Sequence, residues 1–285
     1  MGRPTRFVDR AVVSTAANSA LLMHEPDRDL GELKELYGSQ AARRIWSLCR
    51  QATRDFTGTL RQLNIDCDLA EREAIYFTMN KDAVRRLHAE HRRRRSAGFG
   101  GRWLDAGELR RLTGIRGAAG IQSRRNAQFN PYRACLGLLR SAKGQGAHVF
   151  ECSAVRCIEH TSAGVLAITR GGAVEAKHVV IATGYAMREF TPLSARFEMK
   201  HTYVLATRPI TARIRRKLGL RDLLFWDAER PYHYARWSGR RFIMGGADRP
   251  QLPARRRTRA LKASTRALRR SYSVADRSSR AERTS

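Results

Sequence analysis

Two stretches of the sequence combine residue types that could hold a small molecule. In PYHYAR (Pro231 to Arg236), the side chains of Tyr232, Tyr234 and Arg236 alternate, so on a β-strand they would share one face. Two phenols and a guanidinium on one face can hold a carboxylate, because the guanidinium presents a planar fork of N–H donors. An exposed polar face of a sheet has the same pattern, and the spacing favours neither interpretation over the other.

The second stretch, GGAVEAKHVVIATGY, runs from Gly171 to Tyr185. Its Val179-Val180-Ile181 run is β-branched and uninterrupted, which predicts a strand buried on both faces, as in an α/β sheet. The strand would end at Ala182-Thr183-Gly184, where a bound group could approach the backbone closely because glycine has no Cβ. Apolar strands that end in glycine are common, so this spacing alone is weak evidence for a cofactor contact.

Histidine and cysteine spacing does not indicate a metal site. His88 and His91 fall on one face of a predicted helix without a third ligand, which favours packing over metal binding. The cysteines are five in number and contain no C-x-x-C pair, so we expect neither a disulfide framework nor a zinc site. These patterns predict a protein without a metal in a reducing cytoplasm, and they single out no catalytic residue.

Length and charge limit the function classes. With 285 residues, 42% of them hydrophobic, the chain can bury the core of one large or two medium domains. No run of about 18 apolar residues is present, so no membrane span is predicted, and the first residues lack the apolar region of a secretory signal. The net charge of +29 is spread over segments with helix and strand patterns, which favours solvated arginines over a nucleic-acid-binding stripe.

Apolar periodicity and end signals predict the remaining elements. Helices are expected at 39–63 with Ser39 as N-cap, from residue 80 or 81, at 105–114, from Asn130-Pro131, and at 213–218. Strands are expected at 74–77, 148–152, 155–159, 165–169, 178–182, 202–207 and 241–244. A β-meander with a turn at Gly171-Gly172 would therefore follow the helix that begins at Asn130.

Four segments of this chain, in order, resemble FAD-dependent oxidoreductases of the D-amino-acid oxidase type, which include glycine and sarcosine oxidases. The segments are STAANSALL (14–22), NPYRACLGLLRSAKGQGAHVFECSAVRCIE (130–159), GGAVEAKHVVIATGY (171–185) and PYHYARWSGRRFIMGGAD (231–248). The resemblance implies a mixed α/β fold, in which a Rossmann-like FAD-binding domain (1–64 and 130–187) is interleaved with an antiparallel-sheet substrate domain (65–129 and 188–249). Residues 250–285, which are rich in Arg and Ser, would form a basic disordered tail.

The resemblance also implies a site and a reaction. Asp9 would bind the ribose and Val155 would offer its backbone to the adenine. The residues that would lie along the flavin or the pyrophosphate are Ser14, Thr15, Ala16, Ala17, Ala182, Thr183 and Gly184. Tyr232, Tyr234 and Arg236 would face the substrate, with the arginine on an amino-acid carboxylate. Hydride would leave a carbon that bears an amine and reduce the flavin, and a second substrate would reoxidise the cofactor.

Two departures from the family pattern modify this expectation. The phosphate-binding G-x-G-x-x-G spacing is not found, and no Gly-rich segment follows residue 250. We therefore expect a shortened oxidoreductase that binds FAD weakly on its own and whose activity is impaired. A non-catalytic remnant or interaction module is the alternative, and a basic nucleic-acid-binding protein is a less favoured third.

Overall fold

The computed structural model describes residues 15, 18–182, 200–219 and 221–250. It is a mixture of helices and sheets, which confirms the mixed α/β class predicted from the sequence. The chain forms two compact units, one from residues 1–18 and 135–199 and a larger one from residues 19–134 and 200–285. Residues 19–64 fall in the larger unit, whereas the sequence interpretation grouped 1–64 with the FAD-binding part.

The helices are α1 (Leu30–Gln62), α2 (Val84–Ser96), α3 (Ala106–Thr113), α4 (Pro131–Gly144) and α5 (Ala212–Leu218). The strands are β1 (Leu21–Leu22), β2 (Ala70–Thr78), β3 (Arg102–Asp105), β4 (Ala119–Gln128), β5 (Cys157–Thr161), β6 (Gly164–Ile168), β7 (Ala173–Ala176), β8 (Lys200–Ala206), β9 (Leu224–Asp227), β10 (His233–Ser238) and β11 (Arg241–Pro250). None of the described helices is long and apolar enough to cross a membrane.

The larger unit contains an eight-stranded sheet in the order β1-β4-β2-β9-β10-β11-β8, with β3 added on β4. Its strands pair antiparallel, except that β2 and β9 run parallel. Strand β2 was predicted over 74–77 and is longer, whereas β4 and β9 were not predicted. In β4, charged residues interrupt the apolar pattern, and β9 is too short for periodicity to show.

The two faces of this sheet bury different clusters, because successive side chains of a strand point to opposite sides. Ile75 and Phe77 of β2 belong to one cluster together with Phe225 and Trp237, and all four side chains are at most 1% exposed. Tyr76, between them in the sequence, packs on the other face. Its ring stacks on that of Trp226, with 4.0 Å between the centroids.

Helix α1 begins at Leu30 with Asp29 as its N-cap, so the prediction of Ser39 as N-cap is wrong. Gly38 lies inside the helix with φ 79° and ψ 166°, which interrupts the helical backbone just before Ser39. The apolar spacing that starts at Ser39 therefore marks the part of the helix after this kink. The predicted end near residue 63 is confirmed by the last helical residue, Gln62.

The amino terminus of α1 is capped by a side chain from α2. The Glu90 carboxylate accepts hydrogen bonds from the backbone N–H groups of Leu30 (2.8 Å) and Gly31 (3.1 Å), and from Nε of Arg94 (2.8 Å). Unpaired N–H groups and the positive end of the helix dipole favour an anion there. Glu90 is 1% exposed, so one buried carboxylate joins the two helices.

Other predicted helix ends are confirmed. Asp105 and Glu108 form the capping box of α3, and Gly114 ends this helix in the left-handed conformation with φ 73°. Helix α4 begins at Pro131, where the Asn130 side chain accepts a hydrogen bond from the N–H of Arg133 at 3.2 Å. The short α5 and the strands β8 and β11 also agree with the prediction.

The described part of the smaller unit contains α4 from Cys135 onward and a three-stranded antiparallel sheet, β5-β6-β7. The predicted meander is confirmed, with its turn at Gly171-Gly172 between β6 and β7, although β5 starts only at Cys157. The predicted strand at 148–152 is wrong, because these residues form a turn and irregular backbone with exposed side chains.

The predicted strand at 178–182 is also wrong. Residues 178–182 pair with no strand in the described part of the chain. Val179, Val180 and Ile181 are 41%, 86% and 49% exposed instead of buried. Their β-branched side chains have a high strand propensity, but a strand also needs a hydrogen-bonded neighbour, and β7 ends before this segment.

We expect Glu90→Gln to lower the free energy of unfolding by about 3 kcal/mol, because it removes the carboxylate that caps α1 and leaves the buried Arg94 charge with only the more distant Asp29, at 3.5 Å. Urea denaturation followed by tryptophan fluorescence measures this loss. The control is Glu73→Gln, whose partner Arg124 has an 82% exposed side chain, and it should cost about 1 kcal/mol or less. Equal losses in the two variants would show that the cap does not hold α1 on α2.

Candidate functional site

Two tyrosine rings lie side by side at the start of β10. The ring centroids of Tyr232 and Tyr234 are 6.2 Å apart. Tyr234 pairs across the strand with Gly245 of β11, and a Cβ at Gly245 would come within 2.3 Å of the Tyr234 ring. The tyrosine therefore lies flat over this glycine, and a larger residue at position 245 would displace it.

Both phenols stay protonated at neutral pH. Burial raises the pKa of Tyr232 to about 12, and the negative charges of Asp27 and Asp248 act in the same direction. Burial also raises the pKa of Tyr234, partly opposed by a hydrogen bond with Ser19. Tyr234 packs against the cluster that contains the Tyr76–Trp226 stack. The result is an aromatic surface with O–H groups that can donate hydrogen bonds.

Arg236 is buried, and its guanidinium is bound to the protein's own backbone. It donates to the carbonyl oxygens of Ser19, Trp237 (3.0 Å) and Phe129 (3.4 Å). Burial and the nearby positive charge of Arg72 lower the pKa of Arg236. Its donor fork therefore points at three carbonyl groups of the larger unit.

Two of the carbonyl groups that Arg236 binds, those of Ser19 and Phe129, lie near the boundaries between the two units in the sequence. The chain enters the larger unit at Ser19 and leaves it after Ala134, a few residues beyond Phe129. Tyr234 binds Ser19 as well. Arg236 and Tyr234 together fix the segment that directly follows the small residues predicted to contact the cofactor.

A buried carboxylate, which was not among the residues predicted from the sequence, binds the loop before β10. Asp227 is 0% exposed and accepts hydrogen bonds from the backbone N–H groups of His233 (2.9 Å) and Glu229 (3.2 Å). Its second oxygen lies 2.8 Å from Nδ1 of His233. This carboxylate sets the path of the chain into Tyr232 and Tyr234.

The predicted cofactor residues are only partly within the described ranges. Asp9, Ser14, Ala16, Ala17, Thr183 and Gly184 lie outside them. Thr15 is half-buried, and its carbonyl accepts a hydrogen bond from the N–H of Asn18 at 3.3 Å. Val155, which is 45% exposed, precedes β5, and the exposed Ala182 ends the described segment. Both residues are exposed, and neither side chain carries a charge that could neutralise a phosphate.

The histidines on α2 are used in packing. The His88 ring meets Trp103 edge-on, with 4.8 Å between centroids, and the His91 ring lies 5.7 Å from the same indole. A ring nitrogen of His91 is 3.1 Å from the Gly101 carbonyl. Within the described ranges, no group of three or more His, Cys, Asp or Glu side chains is placed to hold a metal ion.

Sequence reasoning missed a cavity of about 280 Å³ in the larger unit. Four arginines contribute to its wall, among them the neighbours Arg124 and Arg125 of β4. Two adjacent arginines in the middle of a strand that is otherwise buried are the signal that could have found it. Because β4 was not predicted, this arginine pair is indistinguishable in the sequence from an exposed loop.

Comparison with known proteins gives one family and several relatives. Residues 8–281 match the family model described as FAD dependent oxidoreductase. The chain is 24% identical over 240 residues to gamma-glutamylputrescine oxidoreductase of Escherichia coli (strain K12), an alignment that covers 82% of this chain and 55% of the relative. The chain therefore spans about half the length of this relative.

Solved structures show the same fold. Glycine oxidase from Geobacillus kaustophilus superposes with a TM-score of 0.59 at 21% identity, over 84% of this chain and 64% of that one. L-amino acid deaminase from Proteus vulgaris gives a TM-score of 0.62 at 14% identity, over 91% of this chain and 64% of that one. Both superpositions leave about a third of the known protein without a counterpart.

We expect Arg236→Lys to lower the free energy of unfolding by about 2 kcal/mol, because an ammonium cannot reach three carbonyls in different directions. Arg124→Lys is the matched control, since its side chain is 82% exposed, and it should change stability by less than about 0.5 kcal/mol. Urea denaturation of both variants provides the comparison. If Arg236→Lys leaves the free energy of unfolding unchanged, the guanidinium does not hold the segments of Ser19, Phe129 and Trp237 together.

Proposed function

The chain belongs to the FAD-dependent oxidoreductase family, and from this premise we propose that it oxidises the C–N bond of an amine or amino acid. The relatives that support this substrate class are named for gamma-glutamylputrescine, glycine and L-amino acids. The observation that carries the proposal is the pair of protonated, half-buried phenols of Tyr232 and Tyr234 on one aromatic surface.

In this proposal the two units have different tasks. The larger unit binds the substrate, and the smaller unit, with the residues around Thr15, Val155 and Ala182, contacts FAD. Asp9, Ser14, Ala16, Ala17, Thr183 and Gly184 keep their assignment to the cofactor as part of this proposal. FAD, when bound, supplies the acceptor for a hydride from the substrate carbon.

The residues of this chain bind and orient the substrate. The O–H groups of Tyr232 and Tyr234 donate to a substrate carboxylate, since both phenols are protonated at neutral pH. An ammonium group of the substrate is attracted to the faces of the same rings. Arg236 does not contact the substrate in this proposal. It binds the carbonyl of Ser19, and Ser19 in turn binds Tyr234, so Arg236 positions the tyrosine that contacts the substrate.

Flavin binding is the first test of this function. We expect the purified protein to carry little flavin, because the apolar side chains of Val179 to Ile181, which directly precede the residues proposed to contact FAD, remain exposed. Added FAD should then bind saturably, as measured by quenching of its fluorescence. A folded protein that does not bind FAD in excess would contradict the proposal and favour the non-catalytic interaction module.

Substrate binding is the second test. In the FAD-loaded protein, anaerobic addition of glycine, gamma-glutamylputrescine or other amines that carry a carboxylate should bleach the flavin absorbance, which marks hydride transfer. Tyr232→Phe should raise the KM for the best of these substrates by about 10-fold or more, since a hydrogen bond to a charged group is lost. Tyr37→Phe, at a 60% exposed position on α1, should leave the KM unchanged. Equal KM values in both variants would remove Tyr232 from the substrate site.

A further inference from the structure

We propose that the arginine-lined cavity of the larger unit is a second binding site, and that it takes a small anion with at least two carboxylate or phosphate groups. The cavity has a volume of about 280 Å³ and contains none of the residues assigned above to substrate or cofactor. Helix α1 contributes Arg50 and strand β4 contributes the segment from Gln122 to Arg125. The rest of the wall comes from His24, Phe99, Gly101 and Arg102.

Two of the four arginines in the wall are already neutralised. Arg102 forms an ion pair with Glu108 at 2.6 Å, and Arg124 forms one with Glu73 at 3.1 Å. Glu73 also accepts a hydrogen bond from the Gln122 side chain at 2.7 Å, so both of its oxygens are engaged. Glu108 and Glu73 are therefore committed to these two arginines and to Gln122, whereas the buried Glu25 lies 3.8 Å from the ring of its neighbour His24.

The other two arginines, Arg50 and Arg125, have no carboxylate within 4.0 Å in the described part of the chain. Arg50 donates one hydrogen bond, to the Gly98 carbonyl at 3.3 Å, which leaves most of its fork available. The pKa of Arg50 is lowered by burial and by the positive charges of Arg125 and Arg54, and Glu25 offsets this at longer range. An anion between the two guanidinium groups would relieve this repulsion.

The backbone that places Arg125 is strained. The register of β2 and β4 shifts so that Arg124 and Arg125 oppose the single residue Glu73, which is a β-bulge. Arg125 has φ 66°, a left-handed conformation that is unfavourable for residues other than glycine. A bulge of this kind redirects side chains relative to a regular strand, here at the wall of the cavity.

Buried polar contacts hold the bulge in place. The Asn126 side chain, on a residue that is 1% exposed, accepts from the backbone N–H of His24 at 3.0 Å and donates to the Ser123 hydroxyl at 3.0 Å. Such a fixed and strained segment beside unpaired charges indicates a prepared binding site. Burial lowers the pKa of His24, so its ring is neutral at pH 7 and offers a hydrogen bond without adding charge.

The volume of the cavity and the guanidinium groups of Arg50 and Arg125 limit which ligands can bind. Each free guanidinium can hold one oxyanion group through two parallel hydrogen bonds, so two guanidinium groups favour a ligand with two such groups. The cavity volume lies near the lower end of the range for small-molecule pockets. A small dicarboxylate or a small compound with two phosphate groups meets both conditions.

The test measures binding of succinate and of inorganic pyrophosphate by isothermal titration calorimetry, with chloride at equal ionic strength as reference. Saturable binding of either probe above the chloride reference supports the site, and the tighter probe identifies the chemical group. Arg50→Gln should weaken binding by at least about tenfold. The control Arg43→Gln, an exposed arginine on the same helix outside the cavity, should leave it unchanged.

Arg125→Gly separates loss of binding from loss of folding. Glycine accepts the left-handed conformation at this position, so the melting temperature without ligand should stay the same or rise while binding falls by at least about tenfold. Absence of saturable binding for both probes would overturn the proposal. Unchanged affinity in both Arg50→Gln and Arg125→Gly would overturn it as well.

Discussion

The parallel pairing of β2 with β9 is the constraint on which the larger unit depends. Its register runs from Ala74 opposite Leu224 to Phe77 opposite Asp227. In the described sheet this is the one place where strands from residues 19–134 meet strands from residues 200–250. The two partners are separated in sequence by residues 135–199 of the smaller unit, so closing this ladder has an entropic cost. Buried aromatic and aliphatic side chains on both sheet faces offset that cost.

The geometry of the candidate site follows from the end of this ladder. Asp227 is the last paired residue of β9, and its buried carboxylate binds the backbone and ring of His233. Strand β10 therefore starts in a fixed position, with Tyr232 and Tyr234 beside each other. Arg236, further along the same strand, then binds the carbonyls of Ser19 and Phe129. One strand pairing thus determines both the aromatic surface and the path of the chain where it enters and leaves the larger unit.

Local signals in the sequence predicted local features well, because the residues that create them are neighbours. The Asp105–Glu108 capping box and the Asn130-Pro131 helix start need no distant partner. The Val179–Ile181 run has the residue types of a buried strand, but burial depends on partners elsewhere in the chain, and the described part supplies none. Similarly, alternation placed Tyr232 and Tyr234 together correctly, whereas the carbonyl partners of Arg236 come from Ser19 and Phe129, which only the tertiary fold brings near.

The arginines show why composition alone is a weak guide to function. Arg94 is 3% exposed, yet its charge is compensated by Glu90 at 2.8 Å and by the rings of Trp46 and Tyr76, at 4.8 and 5.1 Å from its guanidinium carbon. Arg236 is compensated by backbone carbonyls. The same side chain at Arg50 and Arg125 lines a cavity without an acidic partner within ion-pair distance in the described residues. A guanidinium is informative when the fold places it at a concave surface without providing an anion, and the half-buried Arg50 and the exposed Arg125 meet that condition at the cavity.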